Sequence, residues 1–303
     1  MINWNGVFPA VTTKFNDDDS LDIPAFVKNI LIQKEAGVNG IILGGTLGEA
    51  STLEVAEKDL LLVEALKAVN GKIPVIMNVA EQSTKGAIIA AKKAADLGAN
   101  GLMMLPPMRY AASDRETVVY FKAVANATSL PIMVYNNPVD YKTLVSLDMF
   151  EELAECDTIQ SVKESTRDLS NVTRMFNRFG ERFKILGGVD TLALESLSMG
   201  AHGWVAGLVC AFPKETVAIY RLEKAGRHKE ALEIYRWFLP LLELDINARL
   251  VQNIKLAELA NGIGTENVRP PRLPLIGEER KHVLNIINQG LATRPILPDY
   301  LSL

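Results

Sequence analysis

Three stretches of the chain repeat one design: EAGVNGIILGG at residues 35–45, DLGANGLMML at 96–105 and SMGAHGWVAG at 198–207. In each, a helix-like segment stops at a glycine. One short apolar residue and one polar residue follow, then a second glycine opens an apolar run. A glycine just past a helix end suits the left-handed C-cap, where a β-carbon would clash. The apolar run is too short for a helix and lacks the alternation of a half-wet strand, so it reads as a strand buried on both faces. A chain that repeats a helix-to-strand junction builds parallel βαβ units.

Five more short apolar runs fill the gaps: GVFPAVT (6–12), IPVIMNVA (73–80), LPIMVYNN (130–137), IQSVKES (159–165) and FKILGGVD (183–190). Amphipathic, helix-length segments such as 53–69 and 85–97 lie between them. Eight strands in 303 residues, with no break in composition, predict a closed (β/α)8 TIM barrel. A doubly wound open sheet is the alternative, but no Gly-x-Gly-x-x-Gly follows the first strand. From Pro213 the pattern is helical only, with helices expected over 214–224, 229–242 and 247–260. A Gly/Pro-rich break over 261–277 and a last helix over 278–289 follow. The expected division is a barrel over 1–225 and a helical C-terminal region over 226–303.

Charge and cysteine content exclude several classes. The net charge is -4 and no run of five like charges occurs, so the basic stripe of a nucleic-acid binder is missing. Cys156 and Cys210 have no Cys-x-x-Cys spacing, and His202, His228 and His282 are scattered, so neither a disulfide framework nor a metal site is expected. The start, MINWNGVFPA, lacks a signal-peptide pattern, and no apolar run reaches the roughly 20 residues that span a bilayer. The reading is a soluble cytoplasmic protein with no nucleic-acid and no membrane partner.

In a parallel barrel the reactive groups lie at the C-terminal ends of strands. Strand 2 ends in GGTLGEAS and offers Thr46, Glu49 and Ser51. Strand 4 runs into PPMRY with Arg109 and Tyr110, and strand 5 ends at Tyr135, Asn136 and Asn137. Strand 6 ends at Lys163 and Glu164, strand 7 at Asp190. Lys163 is a candidate nucleophile, because a buried amine loses its proton more readily and attacks carbonyls when neutral. On its own the lysine could equally snorkel to water or pair with Glu164. Tyr135, one strand away, is either an acid–base group or a core tyrosine. The loop GGTLGEAS is either a plain turn or an anion cradle; without a Lys after its glycines it is not a P-loop.

Taken together, GVFPAVTTKF, GGTLGEAST, LPP, VYNNP, SVKES, GGVD and RPPRLPL resemble the dihydrodipicolinate synthase/N-acetylneuraminate lyase superfamily across nearly the whole chain. The resemblance implies a (β/α)8 barrel with a helical C-terminal region, often a homotetramer. It implies a class I lyase in which a pyruvate-type 2-oxo acid, or a cyclic imine equivalent, forms a Schiff base on a strand 6 lysine. No separate cofactor is implied. Lys163 takes the place of that lysine, Tyr135 that of the acid–base tyrosine and Thr46 that of a relay hydroxyl. Gly45 and the N–H groups of Thr46 and Leu47 would hold the substrate carboxylate, with the Val205 carbonyl near the bound acid.

Departures from the pattern bear on the substrate. The second of two adjacent loop hydroxyl residues is replaced by Leu47. Asp140 stands near the place of an arginine that binds the second substrate's carboxylate. Arg109 stands near the tyrosine normally lent to a neighbouring subunit, with Tyr110 one step on. Asn137, Asp140 and Arg109 are therefore the expected specificity positions. Aldol cleavage or condensation, dehydration and deamination remain open, with dihydrodipicolinate synthase-type condensation of pyruvate with an aldehyde as an alternative. A phosphate-binding isomerase is disfavoured because GLVCAFP offers an anion little. A non-catalytic regulatory or binding protein on the same fold stays in view.

Overall fold

The computed structural model describes residues 2–107 and 110–303. Its strands are β1 (Gly6–Pro9), β2 (Ile41–Leu43), β3 (Val75–Val79), β4 (Gly101–Met104), β5 (Ile132–Asn136), β6 (Ile159–Glu164), β7 (Lys184–Gly187) and β8 (Gly203–Ala206). They form one parallel 8-stranded sheet in the order β1-β8-β7-β6-β5-β4-β3-β2. A parallel bridge between Ala10 and Ile42 joins its two edges. The sheet is thus the (β/α)8 barrel that the alternating runs predict.

Helices α1 (Ile23–Glu35), α2 (Val55–Val69), α3 (Thr84–Asp96) and α4 (Asp114–Ala125) follow the first four strands. A single turn, α5 (Pro138–Tyr141), is inserted before α6 (Leu147–Leu153). Then come α7 (Ser170–Phe179), α8 (Ala193–Ser198) and α9 (Pro213–Lys224), the last packed on β1 and β8. Helices α10 (His228–Leu242), α11 (Leu250–Ala260) and α12 (Gly277–Ala292) complete the chain. Among the described residues, no helix is long and apolar enough to cross a membrane.

The repeated junctions explain how strands are set in register. Gly37, Gly98 and Gly200 have φ of +92°, +93° and +102°. The N–H of the next residue returns to the helix, from Val38 to Gln33, Ala99 to Ala94 and Ala201 to Ser196, as in a Schellman cap. The polar residue then clasps the preceding strand. Asn39 Oδ1 accepts from Val7 N at 3.0 Å, Asn100 Oδ1 from Val75 N at 2.8 Å and His202 Nδ1 from Ile185 N at 3.1 Å. Each donates its own N–H to the same residue's carbonyl.

The C-terminal helices are fastened to the barrel mouth. Lys255 of α11 pairs with Glu49 at 2.5 Å, and Glu258 pairs with Lys14 at 2.9 Å. All four side chains are fully buried. Both cysteines are free thiols.

Candidate active site

A cavity of about 390 Å³ opens at the C-terminal ends of the strands. Side chains alternate across a strand, so Lys163 points inward while Val162 and Glu164 point away. Register pairs Lys163 of β6 with Tyr135 of β5, and the two side chains meet in the cavity. The Lys163 Nζ lies 4.1 Å from the centroid of the Tyr135 ring. Lys163 is only 8% exposed, and among the described residues it forms no ion pair. Glu164, the partner the sequence offered, instead accepts from Thr166 N at 2.8 Å and Asn171 Nδ2 at 2.7 Å. Burial holds the Lys163 pKa below the ordinary lysine value, against the opposing pull of Tyr141, Asp245, Asp190 and Asp140.

The Tyr135 hydroxyl accepts a hydrogen bond from Asn137 Nδ2 at 3.1 Å. Burial pushes its pKa up to about 12, so it enters the neutral range as a proton donor. Thr46 does not hand its hydroxyl to Tyr135. Its Oγ1 lies 2.8 Å from the hydroxyl of Tyr141, a residue the sequence reading passed over. The Tyr141 ring packs edge-on to that of Tyr135, with centroids 5.4 Å apart at 80°. Helix α5 makes this possible: Pro138 opens the turn, and Asn137 Oδ1 caps it by accepting from Asp140 N at 3.2 Å. The Asn-Pro start of YNNPVDYK was the available signal for such a turn.

The glycine-rich loop lines the opposite wall through Gly45, Thr46 and Leu47. Among the described residues, no acceptor meets the N–H of Thr46 or Leu47, which leaves both amides open to an anion. Val205, Asn137 and Asp140 also line the cavity. The Asp140 carboxylate accepts from Asn137 Nδ2 at 2.7 Å. Glu49 is absorbed in its pair with Lys255. Asp190 lies behind the wall, where it accepts from Trp204 Nε1 at 2.9 Å and Leu208 N at 2.8 Å and so fixes the end of β8. Tyr110 is 55% exposed and does not line this cavity. Arg109 falls outside the described residues.

Two further charged residues line the cavity, and the sequence reading named neither: Arg167 after β6 and Asp245 after α10. Asp245 Oδ1 has no hydrogen-bond partner among the described residues, and burial raises its pKa well above the usual carboxylate range. A β-carbon at Gly207 would collide with that oxygen, so the glycine makes room for it.

Residues 3–290 match the model of the dihydrodipicolinate synthetase family. The chain is 30% identical over 287 residues to a 4-hydroxy-tetrahydrodipicolinate synthase 1 of Halalkalibacterium halodurans, covering 95% of this chain and 97% of that one. It is 31% identical over 274 residues to a 4-hydroxy-tetrahydrodipicolinate synthase of an Exiguobacterium species, covering 90% and 92%. Among solved structures, a dihydrodipicolinate synthase of Bacillus anthracis superimposes with a TM-score of 0.92 at 27% identity, covering 98% and 100%.

Proposed function

The chain belongs to the dihydrodipicolinate synthetase family, and on that footing we propose that it holds a pyruvate-type 2-oxo acid as an imine on Lys163 and joins it to an aldehyde. The observation that carries this reading is the buried Lys163 amine, free of any ion pair among the described residues, beside the Tyr135 ring. That its relatives are named as synthases supports condensation as the direction of the chemistry.

The substrate carboxylate is held by the open N–H groups of Thr46 and Leu47. Neutral Lys163 attacks C2, and the C2 oxygen leaves as water with protons carried from the amine through Tyr135. Loss of a C3 proton from the protonated imine gives an enamine. Its C3 bonds to the aldehyde carbon, and hydrolysis frees Lys163. The covalent imine is itself the electron sink, so no separate cofactor enters. Thr46 and Tyr141 form a hydroxyl pair beside Tyr135 that steadies it through the proton transfers. Assembly into a homo-oligomer belongs to the same proposal, with exposed Tyr110 available to a neighbouring copy.

A second reading uses the same imine for cleavage, dehydration or deamination. Asp140 favours it, because a carboxylate at the β5 loop repels the acidic end of an aldehyde that an arginine there would attract.

Borohydride reduction with pyruvate, followed by peptide mass mapping, tests the shared first half. The expected result is one adduct on Lys163, lost in Lys163→Ala, with turnover abolished in that variant. Tyr135→Phe should form the adduct about 10²–10⁴-fold more slowly. Absence of any adduct on Lys163 would sink the imine reading.

A further inference from the structure

We propose that Arg167 is the receptor for a carboxylate at the far end of the substrate, so that this site selects dicarboxylate 2-oxo acids and their condensation products. The inference rests on the imine reading above. Arg167 follows the end of β6, and its side chain lines the same cavity as Lys163. The other arginines of this segment are engaged. Arg174 pairs with Asp168 at 2.6 Å, Arg178 with Asp148 at 2.6 Å, and Arg182 donates to the carbonyls of Ala154 and Ile159. Among the described residues, Arg167 has neither an ion pair nor a hydrogen bond, although Asp168 is its neighbour in sequence. Arg167 is exposed at the mouth of that cavity, where an unpaired planar guanidinium is a fork that a carboxylate entering the cavity can engage.

The backbone at Arg167 carries a local cost. Arg167 has φ +65°, the left-handed region that a β-carbon disfavours and glycine would occupy without strain.

The remaining charges permit an anion here. Of the charged side chains lining the cavity, Lys163 is pushed toward its neutral form, and Asp245 is pushed toward its protonated form by burial. Asp140 is tied to Asn137 Nδ2. Arg167 is the cation that remains. An acidic far end, turned away from Asp140 on the β5 side, meets Arg167 on the β6 side. There Gly188 stands against Lys163 with no room for a β-carbon. The near carboxylate goes to the Thr46 and Leu47 amides, the far one to Arg167.

The test is borohydride trapping on Lys163 over a concentration series, read by intact mass, with the diacids 2-oxoglutarate and 2-oxoadipate against the monocarboxylate 2-oxohexanoate, whose far end is uncharged. The wild-type protein should be half-trapped by one of the diacids at about tenfold lower concentration than by the monocarboxylate. Arg167→Gln and Arg167→Gly should bring that ratio close to one, and Arg167→Lys should keep part of it. The ratio is taken within each variant, so a general change in imine formation cancels. No preference in the wild type, or a preference that survives Arg167→Gln, overturns the proposal. If pyruvate itself is never trapped, the imine reading falls instead. Calorimetry with glutarate, which has no carbonyl, then decides, since Arg167→Gln must weaken its binding and equal binding refutes the role.

Discussion

Lys163 burdens the fold in one protonation state and serves the proposed chemistry in the other. Its folded pKa lies below the unfolded value of about 10.4, so between the two the unfolded chain binds more protons. Stability therefore rises with pH across that interval, and the full cost of the buried ammonium applies below it. Lys163→Met should raise stability at pH 7 by about 1–2 kcal/mol, the size of gain seen when a functional strain is removed. The gain should shrink as pH passes through the folded pKa toward 10.4. Urea unfolding of both proteins at pH 7 and pH 10 measures this, and a variant less stable at pH 7 contradicts the depressed pKa. Lys163 and Tyr135 were legible in the sequence because each ends an apolar strand, and a parallel barrel gathers strand ends. Tyr141 was not, because its place depends on the single turn of α5. Arg167 was hidden in the same way, since a backbone φ leaves no mark in composition.

At the scale of elements, the glycines of the three junctions announced helix ends, and the eight runs announced strands. What the polar residue between the glycines does could not be read, because its partner lies on another strand. Asn39, Asn100 and His202 each make a two-way clasp to a residue 32, 25 and 17 positions away. The clasp also accounts for His202 without any ligand role. Asn100 is the cleanest place to test it, since its Oδ1 accepts from Val75 N at 2.8 Å where β3 begins. Asn100→Ala leaves that N–H without its acceptor at a packed strand end. The expected loss is about 1–2 kcal/mol, measured as a lower urea midpoint with unchanged slope. A loss under about 0.3 kcal/mol would mean that water replaces the side chain and that the repeat is ornamental to register.

At the scale of the whole molecule, the helical C-terminal region cannot be treated as an appendage. Asp245 and Asn247 line the cavity, and the pairs Lys255–Glu49 and Lys14–Glu258 join positions 206 and 244 residues apart. No local pattern could announce such pairs, because an isolated Lys or Glu reads as a surface charge until the chain is folded. Their weight falls on the glycine-rich loop. Glu49 has φ +51° and accepts from Lys255 and from Arg269 N at 3.1 Å, which holds the turn that carries Thr46 and Leu47. Lys255→Met leaves the fully buried Glu49 carboxylate with only the longer ion pair to Arg272, at 3.8 Å, and should cost about 2–4 kcal/mol in urea unfolding. Adding Glu49→Gln removes the stranded charge and should recover a large part of that loss, since a missing pair is cheaper than a broken one. The double variant should still capture pyruvate on Lys163, but at higher concentration, because the amides that receive the carboxylate are less firmly held. A single variant within about 1 kcal/mol of the wild type would show that the pair is spectator to the fold, and the loop would then need another anchor.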